Sequence, residues 1–372
     1  MLEDLIDWFK SNGGHLHKSL YLKEVDGLRG FYTSEKIKKD TILATCPEKL
    51  SFGEKDDDYT TILHKLIIEK HKNEKSFHFN YINILPTLDD FKKSHSFFFN
   101  PEELKIIKTL SPSVFNIANT SITTRENVQK KIIEKDSTIT SEDIIWAYLI
   151  VSTRAWSPFT LLPLVDLFNH NTKRGNAKAY DAELNRHILS SKVDYEAGDQ
   201  IFISYGLQDC VNLALNYGFF NKDDDNNLVI KDLLYKGTTP LRYAVGNLLQ
   251  DYHFNTSIIN NTINCQMTTK SGSFYFNKKD ITSQNTLKIL KTLAIKDYSE
   301  LQKKEGNLLN TYIIISDILN ASVSKINLDL VDMKYIPNSL KILTDALKCK
   351  LEIKEKVDNW MKQSLLKQAK IL

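Results

Sequence analysis

The sequence predicts an α+β protein: a β-rich N-terminal part split by a helical insert, followed by a mainly α-helical C-terminal part. Short β-type runs occur before residue 57 and return after Pro158, and the stretch between them has helical periodicity. The run Asp223-Asp224-Asp225-Asn226-Asn227 buries nothing and favours turns, so it marks a boundary. At about 150 residues per domain, a chain of 372 residues predicts two: 1–222, with the insert at about 57–150, and 226–372.

Leu2 to Lys10 places Leu2, Leu5, Ile6 and Phe9 among acidic residues, an amphipathic helix that stops near Gly13-Gly14. Leu20–Val25, Gly30–Ser34 and Thr41–Cys46 are strand candidates, the first two joined by Asp26-Gly27-Leu28-Arg29-Gly30. Helical spacing then runs from Tyr59 to Ala155, with Pro101 opening one segment and Ser141-Glu142-Asp143 leading into another. Strands are expected again at Asn176–Asp181, Arg186–Val193 and Gln200–Ser204, then a helix from Asp209 to Tyr217 ending at Gly218. Beyond the boundary, helical patterns lie at 241–252, 286–294, 301–321 and 338–370.

Composition excludes several classes. Forty-nine basic against forty-six acidic residues give a net charge of +3, too even for a phosphate-neutralising surface, so nucleic acid is not expected as a direct ligand. No window approaches the roughly 18 apolar residues of a membrane helix, and the first ten residues do not read as a signal or transit peptide. Cys46, Cys210, Cys265 and Cys349 form no CxxC or Cys/His cluster, so neither a disulfide framework nor a metal site is expected. A monomer in a reduced cytoplasmic setting, or a nuclear one, fits this pattern.

Three segments carry features that folding alone explains poorly. In Asp26-Gly27-Leu28-Arg29-Gly30, two glycines let the main chain approach a ligand closely, although a plain β-turn explains them too. In Leu164-Val165-Asp166-Leu167-Phe168-Asn169-His170, a carboxylate, an amide and an imidazole follow an apolar run. Ser204-Tyr205-Gly206 and Asn216-Tyr217-Gly218 each set a tyrosine against a glycine.

Together with Thr153-Arg154-Ala155-Trp156, the order and spacing of these segments resemble the SET-domain methyltransferases, in particular the branch typified by the Rubisco large-subunit lysine methyltransferase. The resemblance implies a SET-domain β-fold with a helical insert and a helical substrate-binding domain. It implies S-adenosylmethionine as cofactor, bound by Asp26, Gly27, Leu28, Arg154, Asn169 and His170. Tyr205 takes the catalytic role, while Trp156, Asp166, Tyr180 and Tyr217 bind the substrate, a soluble protein such as a ribosomal protein or translation factor. Thr153 stands where the family has serine.

An amine with a pKa near 10.4 must lose its proton before it attacks a sulfonium methyl, and an aromatic channel lowers that pKa by desolvation. Protein-lysine methylation is therefore the leading expectation. Histidine methylation in the same fold, and a SET-fold binding module without catalysis, stay open as alternatives.

Overall fold

The structure, a computed structural model, describes residues 2–25, 28–53, 57–93, 95–156, 159–171, 174–176, 178–206, 208, 210–220, 228–234, 253–259, 262–269, 272–278, 326–332, 334 and 336–369. Asp26, Gly27, the acidic run at 223–227 and the helices expected at 241–252, 286–294 and 301–321 lie outside the described residues. The chain divides into two units. One comprises Met1–Asn100, Asn116–Gly206 and Leu215–Gly218, the other Pro101–Phe115, Leu207–Ala214 and Phe219–Leu372.

In the first unit, helix α1 (Leu2–Ser11) buries Leu5 and Phe9. Glu3 and Asp4 in its first turn and Lys10 in its last complement the helix dipole. Gly13 follows with φ +90°, a conformation that costs a residue without Cβ little. Strands β1 (His15–Leu16) and β4 (Ile42–Pro47) begin one sheet; β2 (Leu20–Val25) and β3 (Leu28–Thr33) form a separate antiparallel ribbon. Leu43 to Cys46 are all buried, the signature of a strand covered on both faces.

The insert is helical, as the periodicity predicts. It contains α2 (Tyr59–His71), α3 (Phe79–Ile82), α4 (Leu88–Lys92), α5 (Pro101–Leu110), α6 (Pro112–Lys135) and α7 (Ser141–Arg154), of which α5 and the start of α6 belong to the second unit. Side chains set several starts: Asp58 caps α2 by accepting from the Thr61 amide, Thr87 and Asp90 form a reciprocal capping box on α4, and Thr140 caps α7. Helix α7 buries every residue from Ile144 to Val151 except Ile145, so it runs through the core rather than over it.

Four strands and the last residues of a helix, 215–217, complete this unit. Strands β6 (Lys178–Asp181) and β7 (Arg186–Ser190) extend the first sheet in the order β1-β4-β7-β6, with Tyr180 opposite His187. Strands β5 (Asn169–His170) and β8 (Phe202–Ile203) pair in parallel, with Asn169 opposite Phe202 and His170 opposite Ile203. Phe31 and Phe168 stack at 4.3 Å and tie the β2–β3 ribbon to the segment entering β5. Helix α8 (Cys210–Tyr217) ends at Gly218, whose φ is +74°.

In the second unit, α9 (Asn338–Ala369) matches the predicted C-terminal helix and buries Leu340, Leu343 and Leu347. The Ser339 hydroxyl donates to the Glu103 carboxylate, and the Asn327 amide donates to the Leu110 carbonyl at 2.8 Å. After residue 223 the sequence pattern predicts helices and no strands. The structure adds an antiparallel sheet there, β9 (Leu228–Leu234), β10 (His253–Ile259), β11 (Thr262–Thr269) and β12 (Gly272–Lys278), in the order β12-β11-β10-β9. Ile263, Cys265 and Met267 alternate with Asn264, Gln266 and Thr268, a period-two signal that short length and polar content obscure.

Candidate active site

The site grows from the parallel β5–β8 pair. Because the two strands run side by side, the residues leaving them, His170 and Tyr205, meet although they are far apart in sequence. The Tyr205 amide donates to His170 Nδ1 at 3.0 Å, and the two rings lie 5.0 Å apart. The Tyr205 hydroxyl donates to the Phe168 carbonyl at 3.3 Å, so both ends of this residue are fixed to the segment entering β5. On its other side the Tyr217 ring lies 4.9 Å away at 34°.

Two residues outside the sequence motifs, Gly175 and Asn176, hold this crossing together. A Cβ on Gly175 would sit 2.3 Å from the Asn171 carbonyl oxygen and 2.9 Å from that of Ile203, so only glycine lets the backbone pass. The fully buried Asn176 amide donates to the Tyr195 hydroxyl at 3.0 Å and the Phe202 carbonyl at 2.8 Å, and its oxygen accepts from the Lys192 amide at 2.7 Å. Gly175-Asn176 is a turn-type pair in the sequence, and nothing local distinguishes it from others.

Beneath Tyr205 lies a buried polar layer. Leu164, at φ +69°, leads into the 3₁₀ turn Val165–Leu167; this left-handed leucine costs about 1–3 kcal/mol and is held by complete burial. The turn presents Asp166, whose carbonyl accepts from Arg154 Nη1 at 2.9 Å and whose Oδ2 accepts from the Tyr81 hydroxyl. Arg154 Nε and Asp166 Oδ1 are buried without a hydrogen-bond partner. Burial pushes the Asp166 carboxyl up to about 6, against the opposing pull of Arg154 and Tyr81. Burial likewise pushes the Tyr205 phenol up to about 12, with Arg154 opposing, and raises Tyr217. At neutral pH Tyr205 therefore keeps its proton and acts as a fixed dipole, not as a base. Tyr81 has no local signal: its partner lies 85 residues away.

Asn169 reaches the β2–β3 ribbon, donating from Nδ2 to the Arg29 carbonyl at 2.8 Å. A Cβ on the adjoining Gly30 would sit 2.9 Å from that nitrogen and 2.1 Å from Gln200 Nε2. Leu28, which opens β3, is 72% exposed. Six of the predicted site residues, Arg154, Asp166, Asn169, His170, Tyr205 and Tyr217, thus belong to one connected neighbourhood.

Trp156 and Tyr180 have other neighbours. Trp156 exchanges backbone hydrogen bonds with Thr160, and Lys178 Nζ stands 5.3 Å from its ring. Tyr180 is 49% exposed on the edge strand β6; its ring meets His187 at 4.9 Å and its hydroxyl donates to Asn185.

Comparison with known proteins places this neighbourhood. The SET domain family matches residues 28–206, which hold all of these site residues except Tyr217. The chain is 31% identical over 188 residues to the chloroplastic [fructose-bisphosphate aldolase]-lysine N-methyltransferase of Arabidopsis thaliana, a match covering 44% of this chain and 37% of that protein. It is 32% identical over 108 residues to the actin-histidine N-methyltransferase of Rattus norvegicus, covering 27% of this chain and 18% of that protein. The matched stretch is well under two thirds of the length of either relative. The solved SET domain of LSMT bound to lysine and AdoHcy superposes with a TM-score of 0.58 at 15% identity, over 98% of this chain and 91% of that one. Residues 28–206, which contain the β5–β8 crossing, are thus similar to the SET domain, and over nearly the whole length the fold is that of the solved Rubisco LSMT chains.

Proposed function

We propose that the chain is an S-adenosylmethionine-dependent protein-lysine N-methyltransferase that works as a monomer in the cytoplasm on a soluble non-histone protein, a ribosomal protein or translation factor. One observation carries the reading: Tyr205 is locked at its amide by His170 and at its hydroxyl by the Phe168 carbonyl, with Tyr217 alongside.

The residues fit the cofactor. The buried, unpartnered Arg154 Nε suits a carboxylate, the tightly packed Gly30 and Asn169 bring main chain close, and carbonyl and hydroxyl oxygens suit a cationic sulfur. When bound, S-adenosylmethionine supplies an electrophilic methyl group on a sulfonium. Arg154, Asn169 and His170 would hold it together with Leu28, and the family resemblance assigns Asp26 and Gly27 to the same task.

The Tyr205 hydroxyl donates a hydrogen bond to the Phe168 carbonyl, so its oxygen keeps lone pairs to offer an electropositive carbon. Tyr217 and Tyr205 strip water from an arriving amine, which favours its neutral, nucleophilic form. Asp166 holds Arg154 in place through its carbonyl and balances its charge. Lysine is the acceptor because a long alkyl stem suits an aromatic channel, whereas an imidazole needs a polar partner to fix its tautomer. The aldolase-lysine relative supports this reading, and the shorter likeness to the actin-histidine enzyme supports the alternative.

The test is incubation with methyl-labelled S-adenosylmethionine and a methyltransferase-deficient lysate, followed by hydrolysis and amino-acid analysis. Labelled methyl-lysine is expected. Label on methyl-histidine alone overturns the lysine assignment, and no transferred label overturns the enzyme.

A further inference from the structure

We infer that His95 and Ser96, in the helical insert, are positioning residues that fix Tyr217 against Tyr205 and so set the width of the acceptor channel. The inference rests on the methyltransferase reading above and concerns residues outside every motif that led to it.

Tyr217 closes α8, and a helix leaves its last four carbonyls without partners. In water that costs little, but Leu215 is 1% exposed, so its end of the helix needs protein donors. The insert provides them. The Ser96 hydroxyl donates to the Leu215 carbonyl at 2.6 Å, and the His95 imidazole meets the Asn216 carbonyl.

The geometry also decides which way the imidazole works. His95 Nδ1 accepts from the Phe97 amide at 3.1 Å, so the ring proton sits on Nε2, the nitrogen left for Asn216. Burial lowers the His95 pKa to about 4, and the ring stays neutral with this single tautomer at physiological pH. His95 itself is anchored, its amide donating to the Phe91 carbonyl at 3.0 Å. Both residues are buried, at 7% and 3% exposure.

Two carbonyls immediately before Tyr217 are thereby fixed, and Gly218 turns the chain away at φ +74° directly after it. Between these constraints the Tyr217 ring has one place, 4.9 Å from Tyr205.

Three variants of the full chain test this. His95→Asn keeps an acceptor where Nδ1 sits and loses the donor to Asn216; His95→Gln can reach that carbonyl with its amide; Ser96→Ala loses the other donor. His95→Asn and Ser96→Ala are expected to lower kcat/KM for the acceptor by between about tenfold and about 100-fold, the scale of a misplaced reacting group. Cofactor Kd should stay at the wild-type value, and His95→Gln should restore most of the loss.

A second readout does not need activity. 3-Fluorotyrosine at position 217 should give one sharp fluorine resonance in the wild type, and a shifted or broadened one in His95→Asn and Ser96→Ala. Wild-type kinetics and an unchanged resonance in both variants would overturn the inference, as would cofactor affinity falling in step with turnover. If the wild-type chain transfers no methyl group, the proposed function fails, and the fluorine resonance still decides the positioning role.

Discussion

Two tyrosine–histidine ring pairs in this protein have nearly the same spacing, His170–Tyr205 at 5.0 Å and Tyr180–His187 at 4.9 Å, and entirely different surroundings. In the first, the histidine accepts a backbone hydrogen bond from the tyrosine it touches, and the tyrosine is held at its hydroxyl as well. In the second, the pair sits across an edge of a sheet. Tyr180 is about half exposed, and the buried His187 has neither ring nitrogen in a hydrogen bond; Nε2 lies 3.1 Å from Glu48 Oε2 without bonding geometry. Ring proximity alone therefore does not make a site. What separates the pairs is whether the backbone of one partner is fixed by the other, and that follows from topology: parallel β5–β8 pairing forces the first contact, and an ordinary hairpin produces the second.

The largest effect that could break the comparison is on turnover. Tyr205→Phe removes the hydroxyl and leaves the ring, so methyl transfer should fall by about 10²–10³, the scale for one preorganised electrostatic group. S-adenosylmethionine affinity should stay close to wild type, as isothermal titration would show. Full turnover in this variant would make the two pairs equivalent and remove Tyr205 from the chemistry.

Next in size is His170→Ala. It leaves the Tyr205 amide without its acceptor, which costs about 1–3 kcal/mol for a buried donor, and on the proposed function it removes a cofactor-binding group. A lower melting temperature together with weaker S-adenosylmethionine binding is expected. His187→Ala should leave cofactor binding unchanged, because His187 bonds to none of the residues around Tyr205. Equal cofactor binding by both variants would place His170 outside the cofactor site.

The contrast also shows which parts of the molecule the sequence makes legible. Asp166, Asn169, His170, Tyr205 and Tyr217 cluster in short motifs because each motif enters and forms one strand, leaves one strand or closes one helix, and such local patterns survive in a linear reading. Tyr81, His95, Ser96 and Asn176 act through distant partners: Asn176 with Lys192, 16 residues apart, Tyr81 with Asp166, 85 apart, and Ser96 with Leu215, 119 apart. No periodicity encodes such a pairing. Tyr180 stands apart: an aromatic near the motifs reads as a channel wall, and the register across from His187 places it on an edge strand.

Acidification sharpens the comparison with a smaller effect. Burial and the nearby Lys178 hold His187 down at about 4, and His95 is also lowered to about 4, whereas an unfolded histidine titrates near 6.5. As pH falls from about 6.5 toward 4, the unfolded chain takes up protons that the native one refuses, so both groups make the fold less stable in that window. Asp166, raised to about 6, works the other way: between about 6 and 4 its native form binds the proton first. Two histidines outweigh one carboxyl, and each net proton contributes no more than about 1.4 kcal/mol per pH unit. His187→Gln should therefore lose less melting temperature than wild type between pH 7 and pH 5. An identical loss would mean that His187 takes its proton in the folded state.

The smallest expected effect is that of Tyr180→Phe. The hydroxyl it removes donates to Asn185 in the turn of the β6–β7 hairpin, at a position about half exposed, where water replaces a lost partner. The ring that packs on His187 remains, so stability should change by no more than about 1 kcal/mol. Turnover should stay within about twofold of wild type, because a uniform loss of that size in binding would alter KM before kcat. The result decides what β6 does. A fall in kcat comparable to that of Tyr205→Phe would show that the hairpin reaches the reacting amine during turnover, and that the exposed tyrosine–histidine pair belongs to the same chemistry as the buried one.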